Sequence, residues 1–571
     1  MKYIDIHNLA LIHAGTRRRI EEFRKLFSEH FSARKKFTGI LLLLSIAALL
    51  PSCTSRFEMY NTNPNQVTKD QMEAYNYVVG AKIVSLQGLV VPIQEHQYQY
   101  QESLLGCPFS GYIASYQKWA ERWETYNPSN AWRATPFKDV ITNLYAPYRG
   151  VLSDAPDDPV AVAFANLFRV AVMHRLTDNY GPIPYSNVLE TEEAVVKYDT
   201  QKDVYTQMFA ELDGVIEALE ANRDIPVAQW SSYDKVYYGD ISKWIKYANS
   251  LRLRMATRLR YVDETVYKEQ AAKAIAGGLI LTNEDNAYYH TTDNRVAIIN
   301  SWGDHRVAAD ILCYMNGYKD PRREKMFEKN LVPLVVSDSS PVGPEENRKY
   351  VGARVGFNSS AASDFQYNYS NWLVTSSDPI LWMNAAEVNF LLAEYELMAN
   401  GDAAAARNYY ETGIKLSFEE RGATGADDYI KDSESMPETY TDPLGEYTYA
   451  KVMSECKISW DVDTDTESRL EKIITQKWIA IFPLGNESWA EYRRTGYPKL
   501  MPAPHNLGSY NIDLDHHARR LVYPVEEYEQ NNANVNAAIT MIGEENSLNG
   551  GSGDSMASRV WWDVKPYSEI K

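Results

Sequence analysis

The sequence has few of the residues and motifs that build catalytic, metal or disulfide centres. Its 571 residues include only four cysteines and ten histidines, and no two cysteines form a CxxC pair. Widely spaced cysteines argue against a thiolate zinc site and a disulfide framework. The motifs GxSxG, GxGxxG, HExxH and the P-loop are also missing. We therefore predict no metal, no cofactor and no catalytic residue. A surface glycan hydrolase stays an alternative, because sequence alone cannot locate a pair of catalytic carboxylates.

Long apolar runs are scarce as well, and the one near the N-terminus is short. Residues 37–50 (FTGILLLLSIAALL) follow the basic cluster Arg34, Lys35 and Lys36. This order is typical of a secretory signal, and fourteen residues fall short of the roughly 20 that span a bilayer as a helix. The run ends in Leu50-Pro51-Ser52-Cys53, which is similar to a lipobox. That similarity implies cleavage before Cys53 and acylation of its sulfur; an ordinary cleavage site and a soluble product are the alternative.

The signal divides the chain into a leader, a tether and a folded part. Residues 1–52 are the leader, with a long extension at 1–36 before the apolar core at 37–50. Either the extension is translated, or translation begins at a non-Met codon upstream of the signal. Residues 53–66 are polar and read as a lipidated tether. Residues 67–571 are predicted to form a single domain.

The net charge of the chain limits the classes of ligand that it is expected to bind. The leader holds nine of the 58 basic and four of the 76 acidic residues, which leaves 49 and 72 and a net charge of −23 after cleavage. Nucleic acid and anionic lipid both require a basic surface, so neither is an expected ligand. The three cysteines after Cys53 are expected to be buried. The acidic run 461–467 lacks the glycine and glutamate of an EF-hand, and we interpret it as a solvated loop.

Helical periodicity covers much of the mature chain. Helix pairs are predicted at about 158–277 and 378–482, with an irregular insert at about 279–377. The second region loosely matches a tetratricopeptide (TPR) hairpin, with small residues at Ala406 and Gly413. A basic stripe at Arg252, Arg254, Arg258 and Arg260 could be a binding face. In so acidic a chain we expect it to pair with carboxylates of neighbouring helices.

Aromatic residues are unusually abundant, with 41 tyrosines and 13 tryptophans beside 16 phenylalanines. Their rings can stack on the C–H faces of sugars while their polar groups form hydrogen bonds. Ring type and loop context select six candidate ligand contacts: Tyr112, Trp119, Trp123, Trp302, Tyr314 and Trp372. Trp119 and Trp123 are predicted to share a helix face, which is either a core stripe or a carbohydrate-binding shelf.

Several stretches together resemble the SusD/RagB family of nutrient-binding outer-membrane lipoproteins. Besides the lipobox at Cys53, they are LTDNYGPIPYS (176–186), KWIKYANSLRLRMATR (243–258), AAEVNFLLAEYELMANGD (385–402), YYETGIKLS (409–417), ITQKWIAIFPLGNESWAEYRRTGYPKL (474–500) and LVYPVEEYEQN (521–531). In the most specific of these, Trp478 and Trp489 are predicted to anchor a helix pair. Arg493 and Arg494 are interpreted as structural.

The resemblance implies an all-α fold in which TPR-like helix hairpins form a right-handed superhelical scaffold beside an irregular, aromatic ligand face. It implies a non-catalytic lipoprotein of the outer membrane, held through Cys53 and exposed on the surface. It also implies delivery of an oligosaccharide or polysaccharide to a TonB-dependent, SusC-like barrel. A peptide-binding, RagB-type uptake protein and a structural TPR-like adaptor are the alternatives.

Overall fold

Polar side chains at the helix starts fix where the long helices begin. Asp158 and Asp402 each accept hydrogen bonds from two backbone N–H groups of the first turn. Five more helices are capped in the same way, by Thr200, Asp240, Asp263, Asn384 and Asp465. Each cap satisfies a donor that the helix itself leaves without a partner, and is worth about 1 kcal/mol. The starts of these helices therefore follow from local sequence.

A computed structural model describes residues 77–569, except 116, 118, 190–194, 332–344, 359–365 and 550–552. The predicted leader, the predicted acylation site Cys53 and the predicted tether lie outside the described residues.

Helices dominate the described part of the chain. In order they are α1 (Tyr77–Val90), α2 (Glu95–Tyr98), α3 (Cys107–Phe109), α4 (Asn130–Ala134), α5 (Val140–Asp154), α6 (Pro159–Tyr180), α7 (Gln201–Ala221), α8 (Ile241–Arg258), α9 (Glu264–Gly277), α10 (Val296–Trp302), α11 (Ala309–Gly317), α12 (Arg323–Met326), α13 (Ala385–Tyr395), α14 (Ala403–Glu420), α15 (Ala426–Ile430), α16 (Thr466–Ala480), α17 (Gly485–Thr495), α18 (Val525–Gln530) and α19 (Asn532–Glu545). π-helical turns at Gln99–Gly106, Thr135–Asp139 and Glu396–Asn400 directly continue α2, α4 and α13.

Two groups of helices form the scaffold. In the first, α6 packs on α7, α7 on α8, and α8 on α9. In the second, α13 packs on α14 and both contact α16, while α8 contacts α13 and so joins the groups. Phe168, Leu212 and Trp244 are fully buried in the first group. Apolar side chains at helical spacing thus pack each helix against the next, and α6 and α8 are buried on nearly all sides.

The arginine stripe of α8 pairs with carboxylates, as predicted. Arg254 forms two 2.7 Å hydrogen bonds with Glu387 of α13. Arg258 contacts three carboxylates, those of Asp178, Glu487 and Glu491. The two remaining members also form ion pairs, Arg252 with Asp213 and Arg260 with Glu394. The stripe therefore binds helices of the same chain to one another.

The most specific stretch of the sequence is also structural. Trp478 and Trp489 are buried on α16 and α17. Arg494 binds Glu394 through two hydrogen bonds of 2.6 and 2.7 Å, and Arg493 donates to the backbone oxygen of Asp178 at 2.6 Å. The prediction that both arginines are structural is confirmed.

The start of α17 lies against the π-helical turn that follows α2, and the approach is close enough to require glycine. A Cβ added to Gly485 would lie 2.3 Å from the backbone nitrogen of Cys107, and one added to Gly106 would lie 2.4 Å from that of Asn486. The two backbones are thus in direct contact, which positions the turn carrying Gln99 and Tyr100.

The predicted irregular insert contains regular structure that the periodicity did not reveal. Helices α10, α11 and α12 lie within it, and they are too short to show a clear 3.6-residue pattern. It also contains β2 (Ala287–Tyr289) and β3 (His305–Val307). β3 pairs antiparallel with β1 (Ile113–Ser115), and β2 pairs antiparallel with β4 (Ile380–Met383). These ribbons tie the insert to distant parts of the chain.

Two helical stretches among the described residues are long and apolar enough, by length and composition, to cross a membrane. They are Tyr77–Phe109 and Pro159–Tyr180. In the second, 83% of the apolar window is buried inside the protein. Pro159–Tyr180 is therefore a helix of the protein core.

Candidate ligand-binding face

The ribbon of β1 and β3 brings two of the predicted aromatic residues to one end of the molecule's irregular region. Ser115, the last residue of β1, is paired with His305, the first residue of β3. Because the strands are antiparallel, the chain that leaves β1 toward Trp119 lies beside the chain that arrives from Trp302. Gln117 donates a hydrogen bond of 3.4 Å to the backbone oxygen of Gly303 and closes this junction.

Helix α2 and the turn after it supply the residues between the two tryptophans. The ring of His96 stacks on Trp302 with a centroid distance of 5.4 Å. The Gln99 amide donates to the Asp304 carboxylate at 2.6 Å. Trp302 remains 40% exposed, although tryptophan side chains are on average highly buried. The contacts thus hold the ring in place without burying it.

On the other side of Gln99 lies a shallow cavity of about 370 Å³. Trp132 packs edge-on against both Trp119 and Tyr100, with centroid distances of 5.5 Å to each. These three rings are half-buried, so part of each is accessible to a ligand. We call the surface formed by His96, Gln99, Tyr100, Trp119, Trp132 and Trp302 the Trp119–Trp302 face.

The polar groups of this face favour an uncharged ligand. Partial burial raises the pKa of the Asp304 carboxyl, while hydrogen bonds from Gln99 and Gln117 act in the opposite direction. The nearby Arg306 guanidinium also lowers the pKa, so the carboxylate is stabilised by two amides and one basic side chain of the same chain. Aromatic rings beside amide and carboxylate groups can bind the C–H faces and the hydroxyls of a sugar.

Three of the six predicted contact residues lie in the core. Tyr112, Trp123 and Tyr314 are each 0% exposed. The hydroxyl of Tyr112 donates to the backbone oxygen of Trp478, and that of Tyr314 donates to the backbone oxygen of Lys499. The hydroxyls of the two tyrosines thus satisfy carbonyl groups inside the protein, and we correct the assignment of all three residues to the core.

The predicted helix through Trp119 and Trp123 is also wrong, because this segment is a series of turns. The two rings consequently point to different environments, one half-exposed and one buried. The sixth candidate, Trp372, is 9% exposed and lines a separate cavity near β4. The structure therefore brings together Trp119 and Trp302 and leaves the other four apart from them.

Sequence reasoning missed His96, Gln99, Tyr100, Trp132 and Asp304. Trp132 belongs to a segment whose high ring content was visible, and Asp304 is two residues from a predicted contact. The other three lie in α2 and in the π-helical turn that continues it. Their position depends on the π-helical turn, for which the sequence offered no signal.

The acidic run at 461–467 serves the helices around it. Asp461 pairs with Arg407 at 2.7 Å and Asp463 with Lys472 at 2.6 Å. Asp465 caps α16, and Glu467 pairs with Lys565. Within the described ranges, no cluster of three or more His, Cys, Asp or Glu side chains is placed to hold a metal ion. Cys107, Cys313 and Cys456 are free and buried, as expected.

The chain matches a family and several solved structures over most of its length. The family model, SusD-like and described as Susd and RagB outer membrane lipoprotein, matches residues 59–563. A SusD homologue from Bacteroides thetaiotaomicron is 46% identical with a TM-score of 0.80, covering 86% of this chain and 100% of that chain. A homologue from Bacteroides uniformis is 41% identical with a TM-score of 0.78 and the same coverage.

A chitin-binding SusD homologue from Flavobacterium johnsoniae is also similar, at 34% identity and a TM-score of 0.76, covering 86% of this chain and 99% of that chain. None of the curated proteins matches the sequence significantly.

These comparisons confirm the predicted fold class, an all-α scaffold of TPR-like helix pairs. SusD-like proteins are binding proteins rather than enzymes. With a family model that covers residues 59–563 and solved relatives up to 46% identical, this chain belongs to the SusD-like family of nutrient-binding outer membrane lipoproteins.

Proposed function

We propose that this protein binds an oligosaccharide on the Trp119–Trp302 face, without catalysis, and delivers it to a TonB-dependent, SusC-like barrel. The observation that carries the proposal is the exposed ring of Trp302, stacked on His96 beside the half-buried Trp119 and Trp132. Exposed tryptophans held in fixed positions lose little conformational entropy when a ligand binds, and this favours a role in recognition.

The cellular setting of the proposal follows from the N-terminal sequence and from the family. A lipid on Cys53 would hold the protein at the outer membrane, with a short polar tether before the folded part. Two acyl chains give stable anchoring, whereas one gives only reversible binding. We propose that the protein is exposed at the cell surface, where it meets its nutrient before the barrel does.

The ligand class is supported by the chemistry of the face and by one relative. The face combines rings with amide groups, and the Asp304 carboxylate beside it accepts a hydrogen bond from Gln99. A chitin-binding homologue shares 34% of the sequence. Chitin oligosaccharides are therefore the first glycans to test, followed by other neutral glycans.

The test is isothermal titration of the mature, lipidated chain in detergent against oligosaccharide and peptide panels. Trp302→Ala is expected to weaken glycan binding at least tenfold, because truncating a central aromatic anchor typically costs more than 1 kcal/mol. Trp119→Ala should act in the same direction. Tyr238→Asn is the matched control, since Tyr238 is 49% exposed and also packs on a histidine, His290.

Three outcomes would contradict the proposal. Equal binding by Trp302→Ala, Trp119→Ala and the control would move the site away from this face. Binding of peptides but of no glycan would favour a peptide-uptake protein. Release of reducing ends from a bound glycan would show an enzyme. For the partner, failure to co-purify with a SusC-like barrel from native membranes would remove the transport role.

A further inference from the structure

A second cavity lies apart from the Trp119–Trp302 face, and it is the larger of the two. It has a volume of about 530 Å³, within the range of small-ligand sites. Its walls come from β4, the end of α14 and the turn after α16. Tyr98 lines this cavity, while the next residue, Gln99, lines the pocket that contains Trp119. The turn after α2 therefore separates two sites.

Most polar groups in the wall already bind one another. Glu420, at the end of α14, accepts hydrogen bonds from the Tyr288 hydroxyl at 2.5 Å and from the amides of Asn384 and Asn286 at 2.8 and 3.2 Å. Asn294 donates to the backbone oxygen of Asp378 and accepts from the N–H of Val296. This wall is rigid and leaves few groups for a ligand.

Three charged side chains keep unused hydrogen-bonding capacity. Arg421 donates through Nη2 to the backbone oxygens of Phe482 and Ala480, but its buried Nε has no partner. Lys325 has no ion-pair partner among the described residues, in a chain with a large excess of acids. The Asp378 carboxylate accepts one hydrogen bond through Oδ2, from the N–H of Thr375 at 2.7 Å.

The signs of these groups indicate which ligands suit the cavity. Two basic side chains, Lys325 and Arg421, are balanced by two acidic ones, Asp378 and Glu420. A ligand with net charge would upset this balance in a partly enclosed space, where an unpaired charge is costly. A hydroxyl group both donates and accepts, so a neutral polyol can bind the carboxylate and the two cations at once.

The rest of the lining is apolar and contains rings. Trp372 packs edge-on against Phe482 at a centroid distance of 5.2 Å, and Leu373 beside it is 40% exposed. An exposed leucine next to a tryptophan edge offers a surface for the C–H face of a sugar ring. The lining thus combines polar and apolar groups, as recognition of a sugar unit requires.

We propose that this cavity, formed around Lys325, Trp372, Asp378 and Arg421, is a second binding site that takes one or two units of a neutral saccharide. It uses none of the rings of the Trp119–Trp302 face. The two sites can therefore be tested, and can fail, independently.

The test uses the full mature chain carrying Trp302→Ala, so that the other face is weakened, and ligand-observed saturation-transfer NMR. The probes are glucose, galactose, N-acetylglucosamine and cellobiose, with glucuronate as an anionic comparison and the dipeptide alanyl-alanine as a zwitterionic one. At least one neutral sugar should bind. Adding Asp378→Asn or Lys325→Met should weaken that binding at least fivefold, while Lys451→Met, at an exposed lysine outside the cavity, should not.

The changed side chains are partly or fully exposed, so the variants should keep the thermal midpoint of the parent, and this is measured alongside. The proposal is overturned if no neutral sugar binds, or if Asp378→Asn and Lys325→Met bind as the parent does. It is also overturned if glucuronate or the dipeptide binds more tightly than every neutral sugar. None of these results bears on the Trp119–Trp302 face, which is tested by comparing the unmodified chain with its Trp302→Ala and Trp119→Ala variants.

Discussion

The substitution Arg258→Met should destabilise the protein more than the same substitution at an exposed arginine. Arg258 is 1% exposed and lies against the carboxylates of Asp178, Glu487 and Glu491. Removing one partner of a buried ion pair typically costs about 3–5 kcal/mol, because the remaining charge has neither water nor a counter-charge. Lys477 and Arg494 still contact Glu491, which limits the loss. We therefore expect a decrease of about 4 kcal/mol in the free energy of unfolding.

Urea unfolding, followed by circular dichroism at pH 7, measures this loss from the shift of the midpoint. Arg223→Met is the matched control, because Arg223 forms an ion pair with Glu220 on an exposed helix end. Exposed pairs of this kind contribute less than about 1 kcal/mol. The same chemical change is thus compared at a buried and at an exposed site.

The pH dependence of the stability lost in Arg258→Met is a second test. Nearby basic groups, Arg494, Lys477 and Arg258 among them, lower the pKa of Glu491 well below its ordinary value, and Arg258 lowers that of Glu487. A depressed carboxyl pKa contributes stability that is present above the unfolded-state pKa and is lost on acidification. Arg258→Met removes part of that contribution, so its deficit should shrink from pH 7 to pH 4. Equal midpoints for the two variants, or a deficit that grows in acid, would refute the reasoning.

Three further predictions concern a buried acid, a close backbone contact and the lipid. Burial raises the pKa of the Glu124 carboxyl from 4.5 to about 7, against the opposing effect of Arg122. The contribution of this carboxyl to stability is complete below pH 4.5 and is lost as the pH rises through 7. Between pH 5 and pH 8 the wild type should therefore lose about 2–3 kcal/mol more unfolding free energy than Glu124→Gln, and parallel pH profiles would contradict this. Gly485→Ala should lower the free energy of unfolding by about 1–3 kcal/mol or more, because the new Cβ meets the backbone of Cys107. Gly214→Ala, at an open position within a helix, should instead raise it by up to about 1 kcal/mol. Similar thermal midpoints for the two variants would argue against the close contact. Metabolic labelling with palmitate should mark the wild type and not Cys53→Ala, and an unlabelled wild type released to the medium would exclude the anchor.

Local sequence was sufficient for the parts of the fold that local interactions determine. Capping residues such as Asp240 and Asn384 mark the starts of α8 and α13, and apolar spacing sets the buried faces. The excess of acidic residues predicted that the arginines of α8 pair within the chain. The same kind of reasoning failed at Trp119 and Trp123, where four-residue spacing suggested a helix and turns are found.

The sequence by itself determined the charge, the helical scaffold and the family, because each is encoded in neighbouring residues or in a recognisable motif. Only the tertiary structure decided which rings are accessible. Tyr112 and Trp302 are both aromatic residues in irregular segments, yet one bonds a carbonyl in the core and the other stacks on His96 at the surface. The difference arises from the pairing of β1 with β3 and from the contact of Gly485 with the turn after α2. Both contacts join residues that are far apart in the sequence, and a pattern of neighbouring residues cannot show which distant residues come into contact.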